Sequence, residues 1–223
     1  MSANVPGSEF KLPLLLDATG QNLHVGIPSA EGWTTLFSSK LPAMESLFLG
    51  MQTCLEDAGK KISEVDALVF CEGPGSTLGL RIAAAAAKTI LRENKPAPAL
   101  LLYNAMDLAA LLVEKPRTVL APFRNKKKLL RHPPQNETAL GRIEVIEEKV
   151  AEKLTPNAIY LAGPRIRDTL PEGIEIMDYD ISRLTSGLLD LAPILKPSEH
   201  LELFDPEPAK FAEWQPSIQR PQH

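Results

Sequence analysis

A glycine-rich turn between an apolar run and an alanine-rich segment constrains the fold of this chain more than any other feature. Residues 65–71 are almost continuously apolar, as expected for a strand covered on both faces. Gly73-Pro74-Gly75-Ser76 follows, and residues 79–94 then predict a helix whose alanines allow close packing. A strand that leads through glycines into a helix is typical of an α/β fold.

Two interpretations of this turn stay open at the level of sequence. In one, the glycines only allow the strand and the helix to pack closely. The helix N-terminus carries unpaired backbone N–H groups, which the side chain of Ser76 or Thr77 could cap. In the other interpretation, these N–H groups bind a phosphate or carboxylate. The pattern is not a P-loop, because no Lys-Ser or Lys-Thr pair directly follows the last glycine.

Strands and helices alternate on both sides of the turn. Before it, the apolar pattern predicts a three-stranded meander and an amphipathic helix, at residues 12–18, 23–27, 33–37 and 42–58. After it, we expect strands at 99–102, 118–122 and 158–162 and helices at 104–114, 143–154 and 184–195. The proline-rich segment from residue 196 onward predicts an extended chain across the surface. The order predicts a mixed sheet with helices over its faces.

Composition limits the classes of function. With 223 residues, 44% of them hydrophobic, the chain can bury a core, and its formal net charge of −4 gives no global attraction to nucleic acid. Cys54 and Cys71 are expected to be buried free thiols in a reducing compartment. No apolar run is long enough to span a bilayer, so we expect a cytoplasmic chain. Residues 1–10 are interpreted as a disordered tail or a cloning remnant.

The residues around the turn resemble the GPGSFTGLRIG signature of the TsaB (YeaZ) family. The matching residues are Gly73, Pro74, Gly75, Ser76, Gly79, Leu80 and Arg81, with Glu72, Ile82 and Lys88 beside them. Residues 14–20 are similar to the opening strand of that family, residues 55–67 to the segment before its signature and residues 206–221 to its closing tail.

The chain also departs from the family pattern, as a divergent member would. Thr77-Leu78 replaces the family's Phe-Thr pair, and Gly20 replaces a serine or threonine. Phe123-Arg124-Asn125 stands where members usually carry Asp-Ala-Arg.

The resemblance implies an α/β, actin-like fold of the ASKHA or RNase H-like type, with mixed sheets and flanking helices. It implies an N-terminal lobe at residues 11–115 and a reduced C-terminal lobe with a proline-rich tail at residues 116–223. It also implies a scaffold without catalytic residues, metal or cofactor that supports threonylcarbamoyladenosine modification of tRNA. The implied partners are a TsaD-like catalytic subunit and a TsaE-like ATPase, with tRNA contacted indirectly and a homodimer when the chain is alone.

The family binds its catalytic partner through helices of the first lobe. By resemblance, the interface here would involve residues 42–58 and 79–94. The predicted interface residues are Met44, Leu47, Phe48, Met51, Arg81 and Lys88.

Two alternatives come from the residues themselves. An ATPase or small-molecule kinase of the same fold would use Asp17, with Thr19 and Gly20 near a phosphate. Against this, residues 162–164 hold one glycine where an adenosine loop usually needs two. A TsaD-like enzyme is disfavoured as well, because its metal site needs paired histidines on one helix and all four histidines here are isolated.

The other alternative is a basic stretch that could contact tRNA. Its cations are Arg124, Lys126, Lys127, Lys128 and Arg131. The competing interpretation is a solvated edge strand, where lysines discourage aggregation between strands.

Overall fold

The computed structural model describes residues 10–113, 115–124, 126–134, 140–154, 157–162, 174–177 and 180–208. Two mixed β-sheets with flanking helices make up this part of the chain. The predicted mixed α/β architecture is therefore confirmed.

The first sheet has six strands, in the order β11-β5-β4-β1-β2-β3. Strands β1, β4 and β5 run parallel, and β1, β2 and β3 form the predicted antiparallel meander. The strands are β1 (Pro13–Asp17), β2 (Leu23–Ser29), β3 (Gly32–Ser39), β4 (Ala67–Gly73), β5 (Ala99–Asn104) and β11 (Lys196–Ser198).

Both faces of this sheet are covered, which explains its continuous apolar strands. Leu68 and Phe70 of β4 face the core that contains α1 (Ala43–Asp57) and α2 (Thr77–Glu93). Val69 faces the opposite core, which contains α3 (Ala105–Leu111) and residues of the second sheet. Because successive side chains on a strand point to opposite faces, β4 supplies both cores.

The second sheet has five strands, in the order β10-β9-β6-β7-β8. They are β6 (Thr118–Pro122), β7 (Lys127–Arg131), β8 (Ile143–Glu147), β9 (Ala158–Leu161) and β10 (Glu175–Met177), accompanied by α4 (Glu148–Leu154) and α5 (Leu188–Leu191).

Two helix predictions in this half were wrong in part. Residues 143–147 form strand β8, because pairing with β7 satisfies their backbone and Ile143 and Val145 pack against a core; the helix begins only at Glu148. The predicted helix at 184–195 is reduced to α5 and a 3₁₀ turn at Ala192–Ile194. Gly187, at φ 52°, precedes α5 outside right-handed helical geometry, and proline stands at the start of the 3₁₀ turn.

The end of the described chain returns to the first sheet. Strand β11 pairs antiparallel with β5 at the sheet edge, so residues 196–198 lie with the first sheet although they follow the second in sequence. The division into lobes at residues 115 and 116 stays a prediction. Among the described residues, no helix is long and apolar enough to cross a membrane.

Candidate functional site

The signature turn connects β4 to α2. Gly73 ends β4 at φ 112°, a conformation that glycine adopts readily, and the Gly73–Pro74 peptide is cis. Ser76 is the N-cap of α2, since its Oγ accepts a hydrogen bond from the Gly79 N–H at 3.2 Å. Of the two residues that could cap the helix, Ser76 and Thr77, Ser76 does so.

The turn packs directly on the loop that follows β1. The Ser76 N–H donates to the Thr19 carbonyl oxygen at 2.8 Å. A Cβ added at Gly75 would lie 2.3 Å from that same oxygen, and one at Gly79 would lie 2.3 Å from the Ala18 carbonyl oxygen. The two glycines are therefore required by backbone-to-backbone packing, which favours the packing interpretation over anion binding.

Asp17 lies at the end of β1, beneath this contact. One carboxylate oxygen, Oδ1, accepts from the Thr19 N–H at 2.9 Å and from the Thr19 hydroxyl at 2.6 Å. The other, Oδ2, accepts from the Tyr103 hydroxyl at 2.6 Å, and Asp17 is 0% exposed. These bonds satisfy a buried carboxylate and hold the loop after β1 in place.

A carboxylate near a metal–nucleotide would have to be accessible, whereas this network holds Asp17 buried. Thr19 is also buried, and Gly20 is half-buried in the loop beneath the turn. Among the described residues, no group of three histidine, cysteine, aspartate or glutamate side chains could hold a metal ion. An adenosine-binding loop was disfavoured by the glycine and proline at residues 163 and 164. These two residues lie outside the described residues.

Helix α1 divides the predicted interface residues into two sets. Leu47 and Met51 are buried in the core against the first sheet, so their assignment to an interface was wrong. Met44 and Phe48, one helical turn apart, are 70% and 59% exposed. Because α1 is apolar beyond its core stripe and these four residues lie on adjoining parts of its surface, sequence periodicity could not separate the two sets.

Helix α2 lies beside α1 on the same side of the sheet. Its Arg81 and Lys88 are exposed, as an interface requires. Sequence reasoning missed three exposed apolar residues in this region. Leu49 of α1 and Leu78 of α2 lie outside the core stripes of their helices, which was their signal, and Leu41 lies just before α1. We call the exposed apolar residues Leu41, Met44, Phe48, Leu49 and Leu78, together with Arg81 and Lys88, the outer helical face.

The basic stretch does not form an exposed edge. Strand β7 lies inside the second sheet between β6 and β8, so the edge-strand interpretation was wrong. Lys128 is buried, 3.4 Å from a Glu148 carboxylate oxygen. Arg131 is buried with its Nε 2.6 Å from Asp107 Oδ1. Both were wrong as RNA contacts, because buried and paired cations cannot reach a phosphate.

The other basic residues lie at the turn between β6 and β7. Arg124 and Lys126 are exposed there, and the Lys127 side chain is 31% exposed. The sequence could not separate these residues from Lys128 and Arg131, because β7 is buried along almost its whole length only by the strands and helices that pack around it.

A cleft of about 560 Å³ lies elsewhere, near the end of α3. Its arginines are already occupied: Arg117 bonds to Glu175 and to the Ala158 carbonyl oxygen, and Arg183 donates to the Leu112 carbonyl oxygen at 2.9 Å. No residue predicted as a site lines it.

A protein-family model and solved structures of other proteins match this chain. Residues 44–111 match the model of the family described as TsaD: tRNA N6-adenosine threonylcarbamoyltransferase. This segment contains α1 from its second residue onward, the signature turn and α2. The structure is similar to that of YeaZ from Pseudomonas aeruginosa, with a TM-score of 0.50 and 19% sequence identity over 61% of this chain and 66% of that chain.

The chain has a divergent TsaB-like fold. The resemblance predicted from the signature is thus confirmed, as is the actin-like fold class. A second structure, of an uncharacterized protein with similarity to peptidase YEAZ from Pseudomonas aeruginosa, aligns with a TM-score of 0.49 and 19% identity over 61% of this chain and 67% of that chain. The comparison with curated proteins gave no match. This TsaB-like chain spans about two thirds of the length of the YeaZ structure.

Proposed function

We propose that this TsaB-like chain is a non-catalytic scaffold that supports threonylcarbamoyladenosine modification of tRNA by binding a TsaD-like catalytic subunit. The observation that carries the proposal is the outer helical face. Phe48 and Met44 remain more than half exposed on α1 although the same helix buries Leu47 and Met51. Large apolar side chains grouped on one surface are typical of a protein interface.

The position of this surface supports the choice of partner. Both helices of the outer helical face, apart from the first residue of α1, lie within the segment that matches the TsaD family model. Arg81 and Lys88 are exposed on the neighbouring helix α2, and positive charge on the same side of the sheet would favour one docking orientation over others. A partner that binds this face in one conformation would be held in that conformation, which requires no chemistry from the scaffold.

The geometry of Asp17 supports a role without catalysis. Its carboxylate is buried and hydrogen bonded to Thr19 and Tyr103, and the signature turn packs over it. A nucleotide-hydrolysing site at this place would need the turn to move away from the Thr19 carbonyl oxygen.

The wider assembly follows from the same proposal. The TsaE-like ATPase would join through the complex, and tRNA would be brought to this chain through the complex, since the scaffold role itself requires no direct contact with tRNA. In the absence of the catalytic subunit, two copies would associate through the outer helical face. The chain would act in the cytoplasm, where the tRNA is found.

Co-purification with the TsaD-like protein of the same organism tests the proposal. Phe48→Glu places a charge at the centre of the proposed interface and should lower the affinity at least about thirtyfold, as expected when an interface residue contributes about 2 kcal/mol. Arg81→Glu should weaken the complex by reversing a charge at the same face. Val150→Glu, at a 46% exposed position on α4, is the matched control and should leave the affinity unchanged.

The outcome depends on whether the variants fold, so thermal melting accompanies each measurement. Loss of the complex with Phe48→Glu but not with Val150→Glu supports the scaffold. A wild-type chain that forms no complex and hydrolyses ATP by itself would contradict it.

A further inference from the structure

The C-terminal part of the described chain forms a strap, residues 196–208, across the two sheets. It starts as β11 on the edge of the first sheet, and Leu201 is buried in the core beneath α1 and α2. The Phe204 N–H then donates to the Glu72 carbonyl oxygen at 2.9 Å, next to the signature turn. The strap is therefore firmly packed over its first half.

Its second half ends on the basic turn between β6 and β7. Arg124 Nη2 lies 2.7 Å from Asp205 Oδ1 and also contacts the Glu207 carbonyl oxygen. Lys127 Nζ lies 3.1 and 3.0 Å from the two carboxylate oxygens of Glu207. Two carboxylates of the chain thus bind two of the three cations at this turn, and Lys126 lies between those cations in sequence.

These ion pairs hold the strap only weakly. The side chains of Arg124 and Asp205 are 41% and 45% exposed, and those of Lys127 and Glu207 are 31% and 44% exposed. An ion pair exposed to this degree changes an equilibrium by at most about fivefold. The acidic half of the strap can therefore exchange with another anion while β11 and Leu201 stay in place.

We propose that Arg124, Lys126 and Lys127 form a phosphate-binding site for RNA, and that Asp205 and Glu207 of the strap occupy this site as an internal competitor. A guanidinium and an ammonium that bind carboxylates present the same donors to phosphate oxygens. The three cations lie on an exposed turn, which suits a polyanion that runs along a surface better than a small ligand that needs an enclosing pocket. The site goes beyond the proposed scaffold role, because it requires no partner protein.

Binding of unmodified tRNA to the isolated chain, measured at several salt concentrations, tests the competition. Asp205→Asn/Glu207→Gln removes both competing charges and should raise the affinity by about two- to thirtyfold. Glu199→Gln/Glu202→Gln is the matched control: it changes the net charge by the same amount on the same strap, at exposed positions away from the basic turn. It should change the affinity far less.

A third variant tests the cations. Arg124→Gln/Lys127→Gln should weaken tRNA binding and reduce the slope of log affinity against log salt by up to about two, one for each phosphate that the variant no longer neutralises. Inorganic phosphate and ATP serve as small probes that carry phosphate without an RNA backbone.

The possible results distinguish an RNA site from a site for small phosphates and from an effect of net charge. Tighter tRNA binding by the Asp205 and Glu207 variant alone, with the reduced salt slope in the Arg124 and Lys127 variant, supports the RNA site. A gain for ATP or inorganic phosphate without a gain for tRNA overturns the assignment to RNA. Equal gains in the two strap variants overturn the competition, since net charge alone would explain them. None of these results depends on the complex with a TsaD-like subunit, so the scaffold proposal stands or fails separately.

Discussion

Asp107 and Arg131 form a buried ion pair that connects α3 to the second sheet, and replacing one partner tests what this pair does. Arg131 Nε lies 2.6 Å from Asp107 Oδ1, and the two side chains are 2% and 1% exposed. The same oxygen accepts from the Gly141 N–H at 3.0 Å. Asp107→Leu would leave the Arg131 guanidinium buried without its carboxylate.

The expected loss is large because solvent cannot reach the remaining charge. Breaking a buried pair by removing one partner costs about 3–5 kcal/mol, whereas replacing both partners with apolar residues is often neutral or stabilising. With a urea dependence of about 2 kcal/mol per molar, Asp107→Leu should lower the unfolding midpoint by about 1.5–2.5 M. Asp107→Leu/Arg131→Met should recover most of that loss.

Urea unfolding followed by tryptophan fluorescence measures both variants. The Trp33 indole N–H donates to the Leu184 carbonyl oxygen at 2.7 Å, so its emission reports on contact between the meander and the chain beyond the second sheet. A loss below about 1 kcal/mol for Asp107→Leu, or a double variant as unstable as the single one, would refute the reasoning.

Three further outcomes follow from the structure. Gly75→Ala should destabilise the chain by about 1–3 kcal/mol, because its Cβ would meet the Thr19 carbonyl oxygen at 2.3 Å. Gly59→Asn should cost much less in the same thermal melts, because a Cβ there meets no atom within 4 Å and asparagine tolerates the positive φ of this position. The hydrogen bond from His132 lowers the pKa of Glu144 below its ordinary value of 4.5, so this bond stabilises the fold above that pH and the contribution is lost as the pH falls through the folded pKa. His132→Ala should therefore reduce the fall in melting temperature on acidification. An equal fall in the variant and the wild-type chain would argue against the bond. Burial raises the pKa of the Cys54 thiol, which donates to the Val25 carbonyl oxygen, so alkylation of Cys54 by iodoacetamide, followed in a Cys71→Ser variant, should occur only after denaturant is added; rapid labelling of that variant in its native state would show that α1 opens.

The candidate site could be predicted only in part from the sequence. The signature turn was found because its glycines, serine and arginine form a local pattern. The choice between packing and anion binding needed the Thr19 carbonyl oxygen, which belongs to a loop more than fifty residues earlier in the chain. On α1, composition indicated an apolar helix, but only the packed sheet showed that Leu47 faces inward and Phe48 outward.

The sequence by itself determined the meander, the β4–α2–β5 unit and the capped turn within it, because hydrophobic period, alanine content and glycine position act over short distances along the chain. Tertiary structure decided the neighbours of each element. Residues 143–147 became a strand because β7 was available to pair with them, and β11 joined the first sheet because the edge of β5 was open to it. Pairing of β7 with its neighbouring strands also buried Lys128 and Arg131. Each of these cations lies beside an acidic side chain, Glu148 for Lys128 and Asp107 for Arg131. Strand pairing joins residues far apart in sequence, and local propensity does not encode which pairs will meet.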